Sequence, residues 1–255
     1  MKLKALAVVV FLFSAGAACV PGPEQAPGGA ARSLEARMQR GRDLMARKDY
    51  GRAAVEFQAA VALKPDSAPA YDQLGLCYFH EQEYDPAAEA FEKAIGLDPT
   101  NATAFNNLAG AYSMRLQFLA AEGAYKKALA LSPDMISANY SLGILLTNLG
   151  KSQEGAAYLA HGIALDPNFL ETHQEVIASY TSLAFDMKEA YFAYATAYAS
   201  AGNVEKTVAY LNRAKEAGFS DWQRIGRAKE FEKVRDDPKI KKFLSGQAED
   251  RLTRP

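Results

Sequence analysis

Apolar residues recur along most of the chain at three- and four-residue spacing, the signature of one face of an α-helix, and large and small side chains alternate within that face. The pattern itself repeats. Pro65, Pro99, Pro133 and Pro167 are each 34 residues apart, and each closes an apolar stretch: VALKP, IGLDP, LALSP and IALDP. Aligned on those prolines, Leu74, Leu108 and Leu142 share a slot, followed at once by Gly75, Ala109 and Gly143. Tyr78, Tyr112 and Leu146 share the next slot. Ala53, Ala87, Ala121 and Gly155 share another, then Phe57, Phe91, Tyr125 and Leu159, then Ala60, Ala94, Ala128 and Gly162.

Small slots let helix axes approach to about 8–10 Å, while the large ones fill the space between them. Each terminal proline stops a helix. Every unit therefore reads as two helices, and one hairpin cannot bury its own apolar face, so neighbours must stack on it. The expected fold is all-α, an α-solenoid of antiparallel helix pairs with an extended concave surface.

These slots resemble the tetratricopeptide repeat family, clearly over four repeats at 34–169 and in weaker form to about 219. The period slips near the C-terminus. A fifth copy at 188–219 places Tyr191, Ala195, Tyr198, Gly202, Leu211 and Ala214 in the expected slots, with Thr207 where alanine is usual. Residues 170–187, LETHQEVIASYTSLAF and its flanks, supply one unpaired helix, which predicts a change of direction near Asp186. The segment 220–255 resembles the closing part of bacterial members: short helices packed through Trp222, Ile225, Phe231 and Phe243, then a frayed tail from Gly246.

The first eighteen residues break from this plan. Lys2 and Lys4, the apolar run Ala5 to Phe13 and the small residues to Ala18 have the layout of a signal peptide. The run is shorter than the roughly 20 residues that span a bilayer. Gly16-Ala17-Ala18-Cys19 resembles a bacterial lipobox, with Gly16 standing where that motif favours an aliphatic residue; lipidation at Cys19 is expected. Cleavage after Ala17 is the alternative, since Ala15-Gly16-Ala17 also suits ordinary processing. The Pro- and Gly-rich stretch at 19–33 reads as a tether. Val20, where aspartate would signal inner-membrane retention, implies an outer-membrane lipoprotein facing the periplasm; a periplasmic or secreted protein is the alternative.

Formal net charge is −1, and removal of Lys2 and Lys4 leaves 27 basic against 30 acidic residues, so no basic face argues for nucleic acid. Membrane contact would rest on acyl chains. Cys77 lies within a helical apolar pattern and reads as a small buried hydrophobe. His80, His161 and His173 lack metal-ligand spacing, and no nucleophile elbow or phosphate loop is present, so neither metal, cofactor nor catalysis is expected.

By the resemblance, the first helix of each hairpin lines a groove that holds a protein or peptide. The groove-facing residues are Asp72, Leu76 and Phe79 in the second repeat, Asn106, Gly110 and Ser113 in the third, and Tyr140, Ile144 and Thr147 in the fourth. Co-chaperone members grip a peptide carboxylate at positions that here hold Met38, Arg42, Gln73, Thr103 and Asn107, which keep one cation; that mode is disfavoured. The aromatics of 179–198, Tyr191, Phe192 and Tyr194 among them, suggest an exposed interface or filler for an off-register junction. The implied role is a non-catalytic scaffold at the cell envelope, as pilotins of this repeat type are. A secreted adaptor or an accessory subunit of an envelope enzyme complex are the alternatives.

Overall fold

A computed structural model describes residues 27–173 and 187–253. The signal layout, Cys19 and the expected turn near Asp186 lie outside the described residues. Eight helices form four consecutive hairpins: α1 (Pro27–Ala46) with α2 (Tyr50–Leu63), α3 (Ala68–His80) with α4 (Tyr84–Leu97), α5 (Ala102–Met114) with α6 (Phe118–Leu131), and α7 (Ile136–Asn148) with α8 (Ser152–Leu165). Each hairpin also packs on the next through its second helix. α1 starts inside the stretch expected as tether. Pro27 suits a first helical turn, where its missing N–H costs nothing, and Ala30 and Ala31 favour continuation.

The repeated slots explain why the hairpins close. A Cβ on Gly75 would sit 2.6 Å from the Phe91 ring, and one on Gly143 would sit 2.6 Å from Leu159 and 2.9 Å from the Gly155 carbonyl. The small slot on the first helix is thus the seat for the large slot on the second. Phe57, Phe91 and Leu159 are fully buried in this way.

The turn inside each hairpin has one geometry. Lys48, Gln82, Leu116, Gly150 and Gly202 all have φ between 59° and 78°, the left-handed region. The next residue's N–H returns to a carbonyl five residues back: Asp49 to Leu44, Glu83 to Tyr78, Gln117 to Tyr112, Lys151 to Leu146 and Asn203 to Tyr198. These paired bonds satisfy the last carbonyls of the first helix.

A one-turn helix α9 (Phe169–Thr172) follows the fourth repeat. Then α10 (Met187–Ser200) and α11 (Val204–Glu216) make a fifth hairpin, and α10 packs directly on α7 and α8. Tyr198 Oη and Lys206 Nζ both donate to the Pro167 carbonyl at 2.7 Å, which ties the start of the intervening segment to this hairpin. The cap is α12 (Gln223–Arg227), a 3₁₀ turn at Lys229–Phe231 and α13 (Pro238–Thr253). Trp222, Ile225, Phe231 and Phe243 are buried, as expected. The tail is helical through Thr253 instead of ending at Gly246. Gln247 is buried and donates to the Phe243 carbonyl of the same helix.

Candidate functional site

Seven residues separate Asp72 from Phe79, so Asp72, Leu76 and Phe79 lie on one stripe of α3; Asn106, Gly110 and Ser113 repeat the stripe on α5. Leu76, Phe79, Asn106 and Gly110 are half-buried. A Cβ on Gly110 would lie 3.6 Å from the Phe79 ring, so the aromatic rests across the bare backbone of the next repeat. Phe79 meets Tyr84 edge-on at 5.5 Å, and His80 stacks on Tyr50 at 4.3 Å, building one aromatic rim. Burial and the Lys48 charge hold the His80 imidazole below its ordinary pKa.

Asp72 is 8 % exposed. Its Oδ1 accepts one bond, from Asn107 Nδ2 at 3.2 Å, and burial pushes its carboxyl above the ordinary value. Asn106 Oδ1 is enclosed and has no hydrogen-bond partner among the described residues. Two acceptors on neighbouring helices therefore lack strong donors. Ser113 differs from the expectation: its hydroxyl is buried and donates to the Ala109 carbonyl at 2.9 Å, which leaves no donor for a ligand.

In the fourth repeat the same slots are closed. Tyr140 and Ile144 are 0 % and 1 % exposed, inside a cluster with Leu159, Phe169, Tyr194 and Tyr198. Tyr140 stacks on Phe169 at 4.9 Å and donates to the Asp166 carbonyl at 2.9 Å. Thr147 is buried and donates to the Gly143 carbonyl at 2.8 Å. For Tyr140 and Ile144 the expectation that they face a ligand is corrected: the fifth hairpin seats on the fourth and covers them with aromatic rings, whereas Thr147, its hydroxyl turned back to its own helix, borders the cleft described next. The expected aromatic interface is corrected for the same reason. Phe192 and Tyr194 are core residues, and Tyr191 is half-buried against Tyr210 at 6.3 Å.

Beyond this plug lies a cleft of about 450 Å³, lined by Thr147 and Ser152 of the fourth repeat, Glu189, Phe192 and Thr196 of α10, and Arg224, Arg227 and Lys229 of the cap. Arg224 pairs with Glu189 at 2.8 Å, and its guanidinium lies over Phe192 at 4.4 Å. Sequence reasoning missed this cleft. Matching Gly202 to Gly150 would have placed Phe192 and Thr196 in the groove slots, but Glu189 and the cap residues carry no such signal. Among the described residues no three His, Cys, Asp or Glu side chains converge on a metal-sized site. The Cys77 thiol is fully buried and pushed up to about 12, an inert hydrophobe as expected.

Models of the tetratricopeptide repeat match residues 38–102 and 136–169. No curated protein matches the chain by sequence. A crystal structure of MamA protein superposes with a TM-score of 0.54 at 21% identity, covering 78% of this chain and 97% of that one. YrrB, described as having an unusual peptide-binding site, gives 0.51 at 21% identity over 79% and 97%. MamA residues 41 to the end from Desulfovibrio magneticus RS-1 give 0.50 at 24% identity over 53% and 76%. These likenesses are likenesses of fold.

Proposed function

Taking as premise that this chain is a tetratricopeptide repeat protein, we propose that it is a non-catalytic scaffold that holds an extended protein segment along α3 and α5. One observation carries the reading. The inner face of the second and third repeats keeps Leu76, Phe79 and Asn106 only half-buried, whereas the fourth repeat closes the matching slots with the chain's own side chains. Half-buried apolar side chains beside a carboxylate that accepts a single bond are what an incoming backbone and its side chains would complete.

A photo-crosslinking residue placed at Leu76 or Asn106 in cells tests this. Discrete adducts are expected from both positions and none from Glu89, which is exposed on α4. Adducts equal at all three positions, or absent from the first two, would refute the groove as the binding face.

The finer reading is a scaffold tied to the outer membrane through a lipidated Cys19, facing the periplasm. It is supported by the signal layout, the small residues before Cys19 and the Pro- and Gly-rich stretch after it. Because the Cys77 thiol is sealed in the core, a rapidly labelled thiol in the native protein would have to be Cys19. The mature protein purified from membranes is expected to show no fast thiol and an acylated N-terminal mass. A fast-labelling thiol with an unmodified mass would overturn the anchor.

A further inference from the structure

Asp72 is a carboxylate nearly sealed in the groove floor, and its single described partner is a neutral amide. Burying a charge is costly unless an opposite charge meets it. Among the described residues no cation pairs with Asp72. One repeat further on, Asn106 holds the same slot and offers a second enclosed acceptor without a partner. Towards the other end of α3, Leu76 and Phe79 continue the stripe with half-buried apolar surface.

From this juxtaposition we infer that the groove recognises a basic peptide segment, with a lysine or arginine side chain of the partner reaching the Asp72 carboxylate and an adjacent apolar residue packing on Leu76 and Phe79. A lone carboxylate is too poor a ligand set for a divalent ion, which takes six or more oxygens or a near-octahedral shell. An anionic peptide would meet an uncompensated like charge at the floor of the groove. A cation on an aliphatic stem compensates the Asp72 carboxylate and covers the apolar stripe, and its bond to a buried carboxylate is charge-assisted. The inference rests on the groove reading above and adds the charge and shape of what enters.

The test pans a random dodecapeptide phage library against the immobilised protein, the Asp72→Asn variant and the Glu89→Gln variant. Glu89→Gln removes one exposed acid and controls for non-specific attraction of basic peptides to an acidic body. The expected result is a selected sequence family with lysine or arginine at a fixed register next to an apolar residue. Peptides from that family should bind Asp72→Asn about tenfold or more weakly and Glu89→Gln unchanged. Circular dichroism establishes that each variant is folded, and Asp72→Ser serves if the asparagine variant is not. A selected family without a basic position, or one whose affinity ignores Asp72, would overturn this inference and leave the groove reading standing. Selection of no sequence family at all would overturn both.

Discussion

Asp72, Asn106, Tyr140 and Phe192 occupy one repeat slot in four successive hairpins, and they divide into two pairs. Asp72 and Asn106 sit in the floor of an open stripe with their acceptors poorly met. Tyr140 and Phe192 are buried among rings from α9, α10 and the cap. The backbone geometry of the slot is shared; what differs is the covering. Where α10 carries Phe192 and Tyr194, α5 carries Asn106 and Leu108 and α3 carries Asp72 and Leu74. A repeat slot thus acquires its role from the neighbour stacked on it. In this molecule the C-terminal half uses the slot for cohesion and the N-terminal half leaves it available.

The largest expected effect comes from truncating the same slot in the two halves. Tyr140→Ala removes a buried ring, its stack on Phe169 and its bond to Asp166, and should cost about 3–5 kcal/mol in chemical denaturation. Asn106→Ala should change stability by less than about 1 kcal/mol, because an enclosed acceptor without a partner is removed. Similar losses at both positions would erase the distinction. Next in size, Gly143→Ala forces a Cβ against Leu159 and the Gly155 carbonyl and should cost about 1–3 kcal/mol, read from the same denaturation curves.

Asp72→Asn should stabilise the unliganded protein by about 1 kcal/mol at neutral pH, since it keeps the shape and removes a poorly compensated charge. The sign with pH follows from the raised folded-state pKa. Folded Asp72 takes up its proton at higher pH than the unfolded chain does, so wild-type stability from this group rises as pH falls from that raised value toward the ordinary 3.8. The advantage of Asp72→Asn should therefore shrink over that window in paired denaturation series. An advantage that grows on acidification would contradict the assignment. Smallest of all, Leu116→Gly relieves a left-handed leucine that is 61 % exposed and should raise stability by about 0.5–1 kcal/mol, seen as a higher thermal midpoint.

The sequence made the hairpins legible because their packing is local and periodic. The Gly75–Phe91 contact and its equivalents follow from slots sixteen residues apart, which a single aligned repeat already displays. The turn geometry was half legible: Gly150 and Gly202 announce a left-handed residue, but Lys48, Gln82 and Leu116 do not. There the paired backbone bonds of the turn hold the conformation without glycine. The site was legible only as far as one repeat determines it. Assigning Tyr140 and Ile144 to the groove treated each hairpin alone, whereas their burial depends on the rings of α9 and α10. The cleft depends on Arg224, Arg227 and Lys229 of the cap, which lie outside any periodicity.

The central claim is that the inner face is open at α3 and closed at α7, and cysteine accessibility tests it most directly. Cys77 is silent in the core, so single substitutions Leu76→Cys and Ile144→Cys in a Cys19→Ala background can be compared by thiol labelling of the native protein. Leu76→Cys should react about a hundredfold faster or more than Ile144→Cys, which must wait for local opening of the fifth hairpin. Equal rates at the two positions would contradict the account.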